Sequence, residues 1–383
     1  MMTQLSASPC GRIVPTVGGQ HAFVPDPLPR SVDMDSSLVY RLDEASRAVA
    51  TLGGVGETIQ NPHLLIRPFI RREAVLSSRI EGTQASLSDL LLFEASGSRR
   101  PKGDVAEVAN YVRAAERGIE LLDKLPISVR FVNELHSVLL RAVRGEAKRP
   151  GELRSGPVWI GPSGTPIEDA RYVPPPADQV RDLLEDWEHF VNDDSGLPPL
   201  VQCALMHYQF EAIHPYLDGN GRIGRLLITL FLCAKRILTQ PLLYLSAYFE
   251  RDRQRYYDEL FRLSATGDWS AWLGYFLDGV AEQANDALVR SRRLRDLQER
   301  YRTLLHELRE SGNALLLLDE LFANPYMTAP LAAYLLEITP AGARRILERL
   351  VDAGIVDEFR DNWPRLYVAR ELLGILEAST ATD

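Results

Sequence analysis

His214-Pro215-Tyr216-Leu217-Asp218-Gly219-Asn220-Gly221-Arg222-Ile223-Gly224-Arg225 is the most informative stretch of the chain. The run Pro199 to Ile213 before it has the length and apolar content of a helix. Pro215 disfavours helical geometry in the residue before it, so that helix ends near Ile213. Gly219, Asn220 and Gly221 tolerate positive φ and close a tight loop whose backbone N–H groups converge. A new helix, Arg222 to Leu238, follows directly. Converging amides at a helix N-terminus form an anion site. Arg222 and Arg225 stand three apart on one side of that helix, and guanidinium groups suit phosphate oxygens. Asp218 enters the same loop as a ligand for a Mg2+ that bridges phosphates. His214 stands at the entrance, with an ordinary pKa near 6.5 that suits a general base at neutral pH. One segment thus offers a base, a metal ligand, an amide cradle and two cations, the kit of phosphoryl-type transfer.

Around this stretch, 383 residues exceed one ordinary core and predict two or three domains. Hydrophobic residues make up 45% and charged residues 25%, which excludes a disordered, collagen-like or coiled-coil chain as a whole. The net charge of −9 argues against broad nonspecific nucleic-acid binding but leaves room for a local basic patch. Cys10, Cys203 and Cys233 fit neither a disulfide framework nor a CxxC metal spacing, so a reducing compartment is expected. No signal peptide is legible, and the apolar run Leu226 to Ala234 is too short to span a bilayer. The expectation is a soluble, cytoplasmic protein without a membrane partner.

Residues 1–35 are expected to form an irregular arm, tied down by Phe23 and Val24. An N-terminal helical region follows over 36–104, with helices at Ser36 to Ala50, after Pro62, and at Ser86 to Phe93. The helix after Pro62 ends at Gly82, which suits a left-handed cap. The stretch from Glu94 to Asp104 is a loop. A core at 105–285 holds helices at Val105 to Lys124, Ser128 to Val143, Ala177 to Asn192, Pro199 to Ile213, Arg222 to Leu238 and Arg253 to Ala265. Val158-Trp159-Ile160 and Arg171-Tyr172-Val173 interrupt them as a β-hairpin with a long tip. A long helix from Trp269 to Arg309 includes a connector at 286–310. Its stripe Leu294, Leu297, Tyr301, Leu304 and Leu308 reads as an amphipathic face on the chain's own core, with a partner helix as the alternative. Residues 311–383 give three helices (Leu315 to Phe322, Thr328 to Leu335, Pro340 to Ala353) and two strands around Asp361-Asn362, a winged helix-turn-helix pattern. The fold class is therefore mostly α, with a small hairpin and a C-terminal winged helix.

The segment at 214–225 resembles the Fic-family signature HPF-x-(D/N)-GNGR-x-x-R, with Tyr216 in place of Phe. The resemblance implies a helical Fic core that moves AMP from Mg-ATP to a protein hydroxyl. It makes His214 the catalytic base and Asp218 the metal ligand. Gly219, Asn220, Gly221, Arg222 and Gly224 belong to the nucleotide-binding loop, and Arg225 holds the γ-phosphate. The related Doc branch, which phosphorylates, carries a Lys in the loop; Gly221-Arg222 favours nucleotidyl transfer. Upstream, Ser77-Ser78-Arg79-Ile80-Glu81-Gly82 resembles the family's (S/T)xxxE(G/N) inhibitory motif. Ser77 and Glu81 are four apart and share a helix face, and the resemblance pairs Glu81 with Arg225. It also makes the hairpin a target-docking flap (Val158, Trp159, Ile160, Tyr172) and assigns adenine contacts to Tyr257 and Leu260. Ser264 stands where relatives carry Asn. His207, seven residues before His214 with no third ligand at matching spacing, is structural.

The reading is a protein adenylyltransferase that uses ATP and Mg2+. It acts on Ser, Thr or Tyr of an unidentified target protein and of itself, and Glu81 restrains it. A homodimer is open as a partner. The alternatives are a DNA-binding regulator with a nucleotide-sensing Fic module, and transfer of another nucleotide group. From Ser311 onward the chain carries six basic and eleven acidic residues, which disfavours DNA as a partner even though Arg344, Arg345 and Arg349 lie on the expected recognition helix.

Overall fold

The computed structural model describes residues 5–16, 19–58, 63–97, 101–161, 164–359 and 365–378. Helices dominate: α1 (Ser36–Thr58), α2 (His63–Ile80), α3 (Leu87–Ala95), α4 (Asp104–Leu122), α5 (Val129–Leu139), α6 (Val180–Asn192), α7 (Pro199–Ile213), α8 (Asn220–Ala234), α9 (Ser246–Arg251), α10 (Arg253–Thr266) and α11 (Trp269–Glu307). After these come α12 (Gly312–Ala323), α13 (Ala329–Leu335), α14 (Pro340–Asp352) and α15 (Arg370–Glu377). Two strands, β1 (Gly11–Pro15) and β2 (His21–Pro25), pair near the N-terminus. Three more, β3 (Tyr326–Thr328), β4 (Asp357–Phe359) and β5 (Leu366–Val368), form an antiparallel sheet in the order β3-β5-β4. No helix among the described residues is long and apolar enough to cross a membrane.

Helix α7 is buried on every side from Leu200 to Ile213, so it has no polar face. It forms a hairpin with α8 and is walled by α6, α10 and α11. Helix α8 packs in turn on α2, α4 and α5, so the loop between α7 and α8 opens where the N-terminal helices meet the core. Long α11 packs α1 along its first part and the C-terminal helices along its second. Leu294, Leu297 and Tyr301 are buried within the chain itself, Leu304 is partly buried against the same core, and Leu308 is exposed. The stripe as far as Leu304 therefore packs on the protein's own core.

The C-terminal unit is anchored on the N-terminal helices. Tyr326 donates its hydroxyl to Ser88 (3.0 Å), and Ser88 donates to Glu377 (2.8 Å). The Asn324 amide reaches the Leu91 carbonyl at 3.0 Å. Buried Arg290 of α11 donates to the carbonyls of Ile375, Leu376 and Ala378, and so caps the end of α15.

The structure corrects several expectations. Gly11–Pro15 and His21–Pro25 pair as antiparallel strands, where an irregular arm was expected. β2 buries Phe23 and Val24, and the Phe23 N–H donates to the Val173 carbonyl at 2.9 Å. Val158 to Ile160 and Arg171 to Val173 do not form strands: one isolated bridge joins Ile160 to Tyr172, with a 3-10 turn at Ile167–Asp169 between. Helix α1 runs eight residues past Ala50, and α8 starts at Asn220, ahead of Arg222. Helices α9 and α15 and strand β3 are additions; each is eight residues or fewer, too short for a clear period. The turn at Asp361-Asn362 lies outside the described residues, as does part of the expected loops at 94–104 and 161–170.

Candidate active site

Helix α7 ends at His214 with a left-handed backbone (φ +51°), a conformation uncommon outside Gly, Asn and Asp. Buried Arg154 secures this end. Its Nε donates to the His214 carbonyl (2.8 Å), and its Nη2 donates to the carbonyls of Pro175 (2.6 Å) and Ile213 (3.3 Å). The loop then folds on itself. Asn220 accepts from the Tyr216 N–H (2.8 Å) and donates to the Tyr216 carbonyl (2.9 Å). Its side chain is thus a staple across the turn. Gly219, at φ +79°, takes the left-handed position before α8. Tyr216 is fully buried and donates to Asn133 at 2.7 Å, so the aromatic exchange in the motif keeps its anchoring role.

His136 completes the loop's support. Its ring stacks on Tyr216 with centroids 3.8 Å apart. Nδ1 accepts from the Gly151 N–H (2.8 Å), so Nε2 carries the proton and donates to the Asp218 carbonyl (2.9 Å). Burial pushes its pKa down to about 4, which keeps this neutral tautomer. His136→Ala strands both backbone groups, and it is expected to cost about 2–4 kcal/mol in urea unfolding. An unchanged midpoint would show that the loop does not depend on the ring.

The two arginines diverge. Arg222 is buried and paired with Glu107 (3.1 Å) and Asp218 (3.3 Å). Its guanidinium therefore serves the scaffold, contrary to the expected pair of clamps. Arg225 turns toward α2. Its Nε donates to the Ser77 hydroxyl (2.9 Å), and Nη2 donates to the Ser77 carbonyl (2.9 Å) and to Glu81 Oε1 (2.7 Å). Burial alone would push the Glu81 carboxyl up, but the Arg225 guanidinium holds it below the usual range. Glu81 also lies against the cradle itself: a Cβ added to Gly221 would meet its Oε1 at 2.4 Å. The chain turns sharply behind it at Gly82 (φ +94°), and Arg253 donates to the Ile80 carbonyl at 3.0 Å.

A cavity of about 670 Å³ joins these parts. His214, Gly221, Arg225 and Glu81 stand at its polar end; Tyr257 and Leu260 line it, with Ser264, as do Trp159, Ile160 and Tyr172. Asp218, Gly219, Asn220, Arg222, Gly224, Ser77, Gly82 and Val158 are not among its lining residues. Tyr172 is core rather than docking surface: it is buried, and its hydroxyl donates to the Ala212 carbonyl (2.9 Å). Trp159 is 44% exposed and carries the accessible apolar surface of this segment.

The His214 ring is neutral over the physiological range. Burial, aided by the Arg154 charge, pushes its pKa down to about 4, against the opposing pull of Glu81 and Asp218. Its Nδ1 is buried, and the Glu211 backbone carbonyl beside the ring also opposes the fall, which leaves Nε2 as the nitrogen for the cavity. His207 is structural, with Nδ1 donating to the Gly224 carbonyl (3.1 Å) and Nε2 accepting from the Tyr256 hydroxyl (2.9 Å). Among the described residues no group of three or more His, Cys, Asp or Glu is placed to hold a metal. Asp218 alone offers an oxygen in the loop, with Oδ1 already accepting from Gly219 N–H (2.6 Å). A Mg2+ here would take its remaining ligands from phosphate and water, which is its usual habit at nucleotides.

Arg154, His136, Arg253 and Glu211 escape a motif-based reading. Glu211 does leave a trace: with Gln202, His207 and Gln209 it is one of the few polar residues in a largely apolar helix, and the one carboxylate.

This is an all-helical core built on a helix–glycine loop–helix cradle, with a histidine at its mouth and a carboxylate latched onto its arginine. Residues 39–120 match the Fic/DOC family N-terminal region, and residues 126–232 match the Fic/DOC family. The chain thus carries a Fic/DOC N-terminal region and a Fic/DOC domain between residues 39 and 232. It is 35% identical over 114 residues to a protein adenylyltransferase Fic of Drosophila virilis, covering 29% of this chain and 21% of that protein. Over 201 residues it is 29% identical to the corresponding protein of Drosophila willistoni, covering 52% and 36%. The aligned region thus spans little more than a third of these curated relatives at most. Among solved structures, a Fic family protein from Desulfovibrio desulfuricans G20 shares the fold. The TM-score is 0.59 at 20% identity, over 88% of this chain and 97% of that one.

Proposed function

We propose that this chain transfers AMP from Mg-ATP to a Ser, Thr or Tyr hydroxyl of a target protein and of itself, and that Glu81 restrains it. The observation that carries the reading is the placement of Glu81: one carboxylate occupies both Arg225 and the Gly221 face of the amide cradle, in the cavity that holds His214. A carboxylate seated there occupies the place of a phosphate. The triphosphate binds along the Gly219–Arg222 backbone at the start of α8, with its terminal phosphate on Arg225 once Glu81 leaves. The base lies against Tyr257 and Leu260. Asp218 would hold a Mg2+, which would supply charge neutralisation. His214 Nε2 takes the proton of the attacking hydroxyl. The hydroxyl oxygen bonds to the α-phosphorus, the bridge to the β-phosphate breaks, and pyrophosphate leaves.

The test is incubation of the Glu81→Gly protein with ATP labelled at the α-phosphate, followed by mass spectrometry for an added AMP group. Label that stays in free nucleotide with every added lysate rejects the reading. Parallel reactions with the other nucleoside triphosphates separate transfer of a different nucleotide.

The segment at Val158–Ile160 is read as the target-docking surface, supported by exposed Trp159. Its indole N–H donates to the Thr165 carbonyl (2.8 Å) and fixes the ring. Trp159→Ala is expected to lower labelling of a protein target several-fold and to leave ATP affinity unchanged by calorimetry. Equal labelling rules out that role. For residues 311–383 the order helix, strand, two helices, two strands supports a winged helix, and the acidic balance favours a protein contact over DNA.

A further inference from the structure

One carboxylate of the cavity is used by none of these roles. Glu211 stands one helical turn before His214 on α7 and lines the cavity. Buried carboxylates are ordinarily paired or hydrogen-bonded. Glu211 Oε1 is buried with no partner, lodged against the Gly224 backbone, where an added Cβ would meet it at 2.2 Å. Arg225 does not satisfy it, because that guanidinium donates to Ser77 and Glu81. Burial pushes the Glu211 carboxyl up to about 7, with the Arg225 charge opposing the rise, so its ionised form is held ready near neutral pH.

A nucleotide with phosphates on Gly221 and Arg225 and its base on Tyr257 and Leu260 has its ribose in between. Ribose presents two adjacent hydroxyl donors, and the ionised form of Glu211, whose share grows above about pH 7, accepts from them. An acceptor already stripped of water and left unpaired gains more from a hydroxyl than a solvated one does. A carboxylate that takes ribose hydroxyls is also the solution dinucleotide-binding folds use.

We propose that Glu211 is a specificity-determining residue that accepts a hydrogen bond from a ribose hydroxyl, so that the site selects ribonucleoside over deoxyribonucleoside triphosphates. This rests on the nucleotide site proposed above. The test is calorimetry of the Glu81→Gly protein with Mg-ATP, 2′-deoxy-ATP and 3′-deoxy-ATP, repeated with Glu211→Met and Glu211→Gln added. Glu81→Gly alone is expected to prefer ATP over at least one deoxy analogue by about tenfold or more, the scale of a hydrogen bond to a charged acceptor. Glu211→Met, which keeps the volume and removes the acceptor, brings that ratio close to one by weakening ATP alone. Glu211→Gln, which keeps the shape and loses the charge, lowers the ratio several-fold and serves if the Met variant fails to fold. Equal weakening of all three nucleotides marks a structural role and overturns the proposal. So does a Glu81→Gly protein that binds ATP and both analogues alike, and in that case the nucleotide site itself stands. Absence of any nucleotide binding removes both.

Discussion

Replacing Glu81 by glycine is expected to raise AMP transfer at least tenfold and to tighten Mg-ATP binding by a similar factor. The carboxylate holds Arg225 at 2.7 Å and lies against Gly221, so it competes with phosphate for the cation and for the cradle together. A tenfold shift needs only about 1.4 kcal/mol of preference between latched and open states. The contact is of the charge-assisted kind, stronger than a neutral hydrogen bond. Glycine removes it without leaving an unpaired buried anion. Arg225 keeps its two hydrogen bonds to Ser77, so the guanidinium stays near its place when the anion goes. The two readouts separate two causes. Relief of competition improves both affinity and transfer. Loosening of α2 would lower the melting temperature and improve neither. Unchanged affinity in the glycine variant would remove Glu81 from the phosphate site.

The helical hairpin and its loop were legible because the signals were local. A proline fixed the end of α7, two glycines fixed the turn, and the apolar run set α8 in place. The Glu81–Arg225 contact joins residues 144 apart in sequence and was reachable through motif resemblance alone. What the motif could not give was the division of labour within it. Arg222 and Arg225 share a sequence pattern, but a buried glutamate on α4 takes the first and α2 takes the second. The resemblance gave Asn220 a phosphate role and said nothing of its fold role, a bond to each polar group of the Tyr216 backbone. The hairpin at 158–173 has β-prone residues, yet Pro166 and the Ile167–Asp169 turn leave room for a single bridge. Short elements such as α9, α15 and β3 draw their stability from tertiary contacts, which leave no periodic mark on the chain. Helix α7 hid Glu211 for a related reason: where all faces are buried, period carries no information about which side meets the cavity.

Replacing His214 by alanine in the Glu81→Gly background is expected to lower AMP transfer by roughly 10²–10⁴-fold, the usual worth of a positioned base. Mg-ATP affinity should stay within a few-fold, because the proposed phosphate contacts are the loop amides and Arg225 and not the ring. Loss of affinity equal to the loss of rate would assign His214 to binding. The ring's electrostatics give a second readout. In the free protein it titrates at about 4, so it is unprotonated at neutral pH and ready to accept a proton. Burial is the largest cause of that low value, and the Arg154 charge adds to it. A bound triphosphate places negative charge beside the imidazole, which stabilises the imidazolium and raises the pKa. A histidine NMR titration of the Glu81→Gly protein should therefore show the His214 signal moving upward from about 4 when nucleotide is added, while His136, buried under the loop, stays near its own low value. That upward shift is the physical link between holding the phosphates and removing the hydroxyl proton: the charge that the loop collects makes the neighbouring ring a stronger base. If nucleotide binds and the His214 signal does not move, the ring is too far from the phosphates to serve the transfer, and another group must take the proton.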